Sequence, residues 1–317
     1  MPIPVFEEVP TIGLVGSLAQ LDEAAYLAAN PDVRAAKLDA RDHFARYGQQ
    51  EGRRQFVNAG RIAKLRVSKL GALTFRPGFN PRLAAQGPLN CLPQSVRDSF
   101  EIPEYPPVAA NEYNPEIIEL IRANPRKMFL DVGAGLRHTY YSNVVNVEIW
   151  GSASTDVVGI GEDLPFVDNQ FDFVFCLAVL EHTKRPWLAA REIIRVTKPK
   201  GIIRIDWPFL QPVHGYPHHY FNATPKGAIS QFEEFCDIQS CDVRPWQHPI
   251  FSLYWMLQEW RDGLPEGDRP GFDRLTVGEV LGTMPGGHLA SPYCANLPPA
   301  GQQIIAAGTT LIARKRP

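Results

Sequence analysis

The apolar positions of this chain fall into three rhythms. Over residues 18–56 they make short helical stripes. Leu21, Ala24, Ala25, Leu27 and Ala28 share one face and Val33, Ala36, Leu38, Phe44 and Tyr47 another, with breaks at Asn30-Pro31 and Gly48. Positions 77–115 then hold eight prolines, which remove amide donors and hold φ, so neither regular helix nor central strand is predicted there. Phe75, Phe79, Phe100 and Tyr105 make this stretch too apolar for a free linker, and predict a strap over a folded domain.

From Asn114 the pattern turns regular. Asn114 is placed to cap a helix whose first position is Pro115 and whose apolar face is Ile117, Ile118, Leu120 and Ile121. Apolar or β-branched runs at 128–132, 144–149, 156–158, 171–176 and 202–207 read as parallel strands buried on both faces. Proline-opened helices are expected at 186–197 and 225–236, a longer helical stretch near 251–260, and a late strand at 303–313. The fold class is α/β, a doubly wound sheet. Eleven residues, 133–143, join the first two strands, so the first crossover is shortened and its helix is one turn or absent. The division expected is a leader at 1–17, a small helical module at 18–60, a Pro-rich connecting strap at 61–110 and the α/β domain at 111–317.

Composition narrows the class. The 317 residues are 44% hydrophobic and 21% charged, which excludes a mostly disordered chain. A net charge of −2 lacks the basic excess of a nucleic-acid binder. No apolar run reaches about 18 residues, so no transmembrane segment is expected. The opening has no basic stretch followed by an apolar one, so a cytoplasmic setting is expected over secretion. Five cysteines without C-x-x-C spacing argue against a disulfide framework and a structural zinc site.

The chemistry starts at Phe129-Leu130-Asp131-Val132-Gly133-Ala134-Gly135, a strand running into a glycine turn where backbone can approach a ligand. Many nucleotide-binding folds share that feature. Here Glu148 ends the second strand, where a carboxylate can accept both hydroxyls of a ribose. Gly161-Glu162-Asp163-Leu164-Pro165-Phe166 follows the third strand, 169–182 spans the fourth and 191–201 leads into the fifth. The ordered series resembles the class I S-adenosylmethionine-dependent methyltransferases over about residues 111–315, most specifically over 128–223. The resemblance implies a seven-stranded Rossmann-like sheet with an antiparallel last strand and S-adenosyl-L-methionine as cofactor. It places Asp131, Gly133, Ala134 and Gly135 around the methionine end and Glu148 at the ribose. Gly161, Glu162, Asp163 and Leu164 come to the adenine edge, and Leu177 beneath the sulfonium. Two departures stand out: Leu136-Arg137-His138 replaces a third glycine, and Ile160 stands where many relatives have an aspartate. Glu162, Asp163 or backbone amides are the substitutes for that aspartate. A nicotinamide enzyme is disfavoured, because the Gly-x-Gly-x-x-Gly spacing is missing.

The segment His214-Gly215-Tyr216-Pro217-His218-His219-Tyr220-Phe221-Asn222 resembles a signature of one bacterial subgroup of that family. Gly215 and Pro217 make it a loop, and no nearby acid completes a protease-like zinc motif, so no metal is expected. The loop leaves the fifth strand at the rim where open sheets bind ligands. His214 and His218, with His182 after the fourth strand, are the expected catalytic base or anchor, and Tyr216, His219 and Tyr220 the expected acceptor contacts. The alternative is that these imidazoles bond carbonyls and stiffen the loop. Phe251, Leu253, Tyr254, Trp255, Leu257 and Trp260 read as core packing or a lid. The Asn/Asp-Pro-Pro-Tyr/Phe motif of nucleic-acid methyltransferases is missing after the fourth strand, where Cys176-Leu177-Ala178-Val179 stands, so nucleic acid is not expected as partner.

The acceptor expected is therefore an oxygen of a small molecule or glycan. The stretch from Tyr26 to Val33, with His43-Phe44, Tyr47-Gly48 and Glu51-Gly52-Arg53, resembles a small helical repeat of bacterial glycan-related proteins. That likeness points to surface-polysaccharide or metabolite synthesis; the other reading of the stretch is a helical brace packed on the main domain. A catalytically inactive methyltransferase-fold scaffold in a glycan-assembly complex is the alternative.

Overall fold

The computed structural model describes residues 6–80, 84, 87–103, 112–215 and 217–314. Strands β1 (Glu8–Pro10) and β2 (Ile12–Leu14) lead into three short helices, α1 (Glu23–Ala29), α2 (Pro31–Ala35) and α3 (Ala40–His43), and then β3 (Arg54–Phe56). Asp22 caps α1 by accepting from the Ala25 amide at 3.0 Å, and Pro31 opens α2, so the break falls at Asn30 as the pattern predicts. Antiparallel pairing of β2 with β3 closes this unit around Val15, Tyr26, Val33, Ala40 and Phe44.

Helix α4 (Ala59–Gly71) precedes β4 (Leu89–Asn90), α5 (Gln94–Ser99), α6 (Pro115–Ala123), β5 (Phe129–Val132), β6 (Thr139–Tyr141), β7 (Val144–Glu148) and β8 (Val157–Val158). Next come β9 (Phe171–Leu177), α7 (Pro186–Val196), β10 (Thr197–Asp206), α8 (Pro225–Ile229) and α9 (Pro249–Gly263). Five further short helical segments lie between Arg269 and Ile304. The central sheet runs β10-β9-β5-β7-β8-β4, and every pairing in it is parallel. The chain goes outward from β5 through β7 to β8 and returns to β9 on the other side. The winding thus reverses at β5, the place where open α/β sheets bind ligands.

Alternating strand residues feed two cores. Leu130, Val132, Val145, Val147 and Val174 pack with Ala189, Ala190 and Ile193 of α7. Phe129, Val144 and Phe175 pack with Ile117 and Ile121 of α6. Asn114 caps α6 through the Ile117 amide at 3.0 Å.

The structure corrects three expectations. Six strands stand in the described sheet in place of seven, because 303–313 ends a proline-opened helix and continues as unpaired chain, with Leu311 and Ile312 exposed. The sixth strand comes from the proline-rich strap and lies at the sheet's edge, where the expectation of no central strand still holds, but the strap also forms the helix α5. Pro88 and Pro93 bracket β4, leaving the Leu89 and Cys91 amides free to donate to Asp156 and Val158 carbonyls at 2.8 Å. Pro93 likewise precedes α5 without interrupting it. The aromatic stretch in α9 buries no residue, so it is not core.

No helix fills the first crossover. Its place is taken by β6, paired antiparallel with β1, and by α4, whose Ile62 and Leu65 pack on Val9 and Tyr140. Lys69 of α4 is fully enclosed. Its ammonium meets Asp156 at 2.7 Å and donates to the carbonyls of Tyr141 and Val144. Burial draws its pKa down to about 8 against the pull of Asp156. Among the described residues no helix is long and apolar enough to cross a membrane.

Candidate active site

A cleft of about 1870 Å³ opens at the carboxyl ends of the strands. Its floor is the turn after β5. Gly133 and Ala134 donate to the Val147 carbonyl at 2.9 and 3.0 Å, which ties the turn to β7. Gly133 has φ +74°, and a Cβ there would lie 2.4 Å from a Val179 methyl. Only glycine fits this crowded, left-handed position. Glu148 is buried at the end of β7, and its carboxylate accepts from the Gly135 amide at 2.8 Å and the Ile149 amide at 2.7 Å. Each oxygen keeps a further lone pair for a hydroxyl. Burial raises the pKa of Glu148, and the two amides oppose that rise.

Gly133, Ala134, Gly135, Glu148, Gly161, Glu162 and Leu177 line one cleft. Three other residues expected at the cofactor do not line it: two are buried beneath it and Asp163 is exposed. Asp131 is fully buried, bonded to Arg137 at 2.8 Å and to the Tyr113 hydroxyl, so it braces the turn from beneath. Asp163 pairs with Arg76, and Leu164 is buried in the main core. Arg137 itself lines the cleft, with its guanidinium 4.1 Å over the Tyr113 ring. The sequence signalled Arg137 only as a missing glycine.

The opposite wall is the loop after β10. Tyr220 and Phe221 amides donate to the Glu181 carbonyl at 2.7 and 3.2 Å, and the Trp207 indole donates to the Phe221 carbonyl at 3.1 Å. These bonds pin the loop to the end of β9. His182 and His214 line the cleft, and their rings lie 5.3 Å apart. The Nδ1 of His182 meets the His218 carbonyl at 2.9 Å, and that of His214 the Pro212 carbonyl at 2.8 Å. A carbonyl only accepts, so Nδ1 carries a proton in both rings, and Nε2 is the nitrogen that holds the lone pair when the ring is neutral. Burial lowers the pKa of His182, which keeps it neutral.

Tyr220 also lines the cleft. The His218 ring does not: its Nε2 lies 3.9 Å from Glu101, and its ring packs by Tyr220. His219 is committed at both nitrogens, accepting from the His214 amide at 3.1 Å and donating to Asn222 at 2.8 Å. Tyr216 lies outside the described residues. Trp255 of α9 packs 4.8 Å from the His214 ring.

Glu181 is enclosed beside these rings. Neither of its carboxylate oxygens has a hydrogen-bond partner, and burial pushes its pKa up to about 8. Its only sequence signal was its place beside His182 after the fourth strand. Ala178, between β9 and Glu181, takes φ +55°, a strained value for a residue with a side chain.

Residues 130–205 match the family model described as a methyltransferase domain. A Mycobacterium tuberculosis protein described as an uncharacterized methyltransferase is 39% identical over 57 residues, 18% of this chain and 22% of that protein. A Mycobacterium leprae counterpart is 37% identical over 57 residues, 18% of this chain and 21% of its own. The chain thus spans about a fifth of the length of the curated relatives it matches. Among solved structures, the Haemonchus contortus phosphoethanolamine N-methyltransferase 2 in complex with S-adenosyl-L-methionine shares 18% identity at a TM-score of 0.32. That alignment covers 58% of this chain and 50% of that one. The glycine turn at the winding reversal and the buried carboxylate ending the next strand sit within the matched segment. Residues 130–205, about a quarter of the chain, are thus similar to a methyltransferase domain.

Proposed function

We propose that the protein transfers a methyl group from S-adenosylmethionine to an oxygen of a small molecule or glycan. The observation that carries this reading is that one cleft holds both the Gly133–Glu148 cofactor wall and two imidazole lone pairs. The cradle suits the cofactor, since buried Glu148 spends one lone pair of each oxygen on an amide and retains acceptor capacity for hydroxyls. When bound, S-adenosylmethionine supplies an electrophilic methyl carbon and departs as S-adenosylhomocysteine, its sulfur keeping the electron pair of the broken bond. The chain's own residues orient the acceptor and take its hydroxyl proton. His214 and His182 are placed for that, and Tyr220 walls the acceptor. Cytoplasmic surface-polysaccharide or metabolite synthesis is the setting proposed, with 18–60 as an appended module.

S-adenosylhomocysteine is expected to raise the melting temperature, and Glu148→Ala to remove most of that rise. His214→Ala should lower turnover about 10²–10⁴-fold, the usual worth of a proton acceptor, while leaving S-adenosylhomocysteine affinity intact. Absence of calorimetric binding at millimolar S-adenosylhomocysteine would overturn the reading and leave the inactive scaffold.

A further inference from the structure

Read along the chain, the loop histidines have no acid near them. Folding supplies one from the end of β9. Glu181 is fully buried, and both its carboxylate oxygens lack any hydrogen-bond partner. Enclosing a polar group without a partner is unfavourable, so such a residue calls for a ligand.

Its neighbours are the two imidazoles with free Nε2 atoms. His182 Nε2 lies 3.7 Å from Glu181 Oε1, and one ligand atom from each of Glu181, His182 and His214 falls within 4.8 Å of the others. Both rings donate Nδ1–H to backbone carbonyls, the outer contacts that orient metal-bound imidazoles. His219 is excluded because its nitrogens are already committed. Gly215 brings the loop onto the His182 ring at φ +81°, where a Cβ would stand 2.1 Å from Cε1. The loop is built to close on that ring.

We propose that Glu181, His182 and His214 form a three-ligand site for a divalent transition cation, zinc foremost, with an open coordination position toward the cleft. Two imidazoles and one carboxylate suit zinc, and three protein ligands leave room for an exogenous oxygen. Occupancy does not depend on the methyl-transfer reading. The use of the ion, to hold and acidify an acceptor hydroxyl in place of proton abstraction by imidazole, rests on the methyl-transfer reading.

The test uses the full chain, stripped with a chelator and dialysed, then titrated with Zn²⁺ by calorimetry and with Co²⁺ by visible absorption. One equivalent per chain is expected, with cobalt bands of a low-coordinate nitrogen and oxygen site. Glu181→Gln and His214→Ala, each verified as folded by circular dichroism, should weaken binding at least about 10–100-fold, the loss that outer-shell changes alone produce. His218→Gln should retain binding, because its carbonyl and not its ring supports His182. No uptake by the wild type, or uptake unchanged in both ligand variants, overturns the proposal. S-adenosylhomocysteine binding to the stripped protein is measured in parallel. If it persists without zinc uptake, the metal site falls and methyl transfer stands. If zinc binds with the expected dependence and S-adenosylhomocysteine does not, the metal site stands and methyl transfer falls.

Discussion

At the residue scale the two walls of the cleft are held by opposite devices. Glu148 is enclosed with two amides donating to it, whereas Glu181 is enclosed with none. The difference has a pH signature. An unfolded glutamate ionises near 4.5, but Glu181 in the fold holds its proton to about 8. Below 4.5 both states are protonated and the residue contributes nothing to the pH dependence. Between those values only the unfolded chain releases the proton, so stability falls as pH rises, and above about 8 the loss is complete. In chelator-treated protein, Glu181→Gln should flatten that decline, by about 2–5 kcal/mol across the interval. Melting temperatures measured from pH 5 to 9 check it; parallel curves for the two proteins would refute it. Gly133→Ala meets both a left-handed backbone and the Val179 methyls. It should cost about 1–3 kcal/mol in urea unfolding and abolish the shift caused by S-adenosylhomocysteine.

At the scale of elements, the short first crossover is the feature that reorganises the molecule. With eleven residues between β5 and β7, the crossover carries only β6, and the sheet face must be covered from elsewhere. Helix α4 covers it, at the cost of enclosing Lys69 against Asp156. Tyr140 and Arg66 complete that cluster, the former donating to Asp156 and the latter 3.7 Å from it. Removing one partner of a buried ion pair strands the other. Lys69→Met should therefore destabilise by about 3–5 kcal/mol, seen as a lower urea midpoint, and adding Asp156→Asn should restore part of it. An unchanged midpoint in the single variant would show that the pair is not what anchors α4.

At the scale of the whole molecule, the segment before residue 72 is part of the sheet's packing. It supplies β1 to the crossover and the apolar face of α4 to Tyr140, and Leu70 enters the main core. A chain beginning at Ala72 should accordingly lose cooperative thermal unfolding and S-adenosylhomocysteine binding together. Retention of both would mean that the remaining sheet covers itself.

Much of this was legible before folding. The strands at 128–132, 144–149 and 171–176 were readable because buried parallel strands must be continuously apolar, and Asn114-Pro115 because capping is local. The missing crossover helix followed from counting residues. That Gly133 and Glu148 share one cleft was legible in the same way, since a glycine turn and the carboxylate ending the next strand both lie at strand ends. What replaced the missing helix was not readable, because α4 and β1 come from far along the chain and nothing in their local pattern names a partner. The recruitment of β4 from the proline strap, and the failure of 303–313 to join the sheet, turned likewise on which strand edge was available. The histidine wall of the cleft was half legible. The histidines announced themselves, but which ring nitrogens stay free depends on carbonyls of Pro212 and His218, and Glu181 becomes an unpartnered acid only where tertiary packing encloses it. Sequence by itself determined the parallel sheet and its glycine turn, because periodicity and backbone freedom are properties of neighbouring residues. Tertiary structure alone decided burial and hydrogen-bond commitment, because both depend on atoms that the chain brings together from a distance.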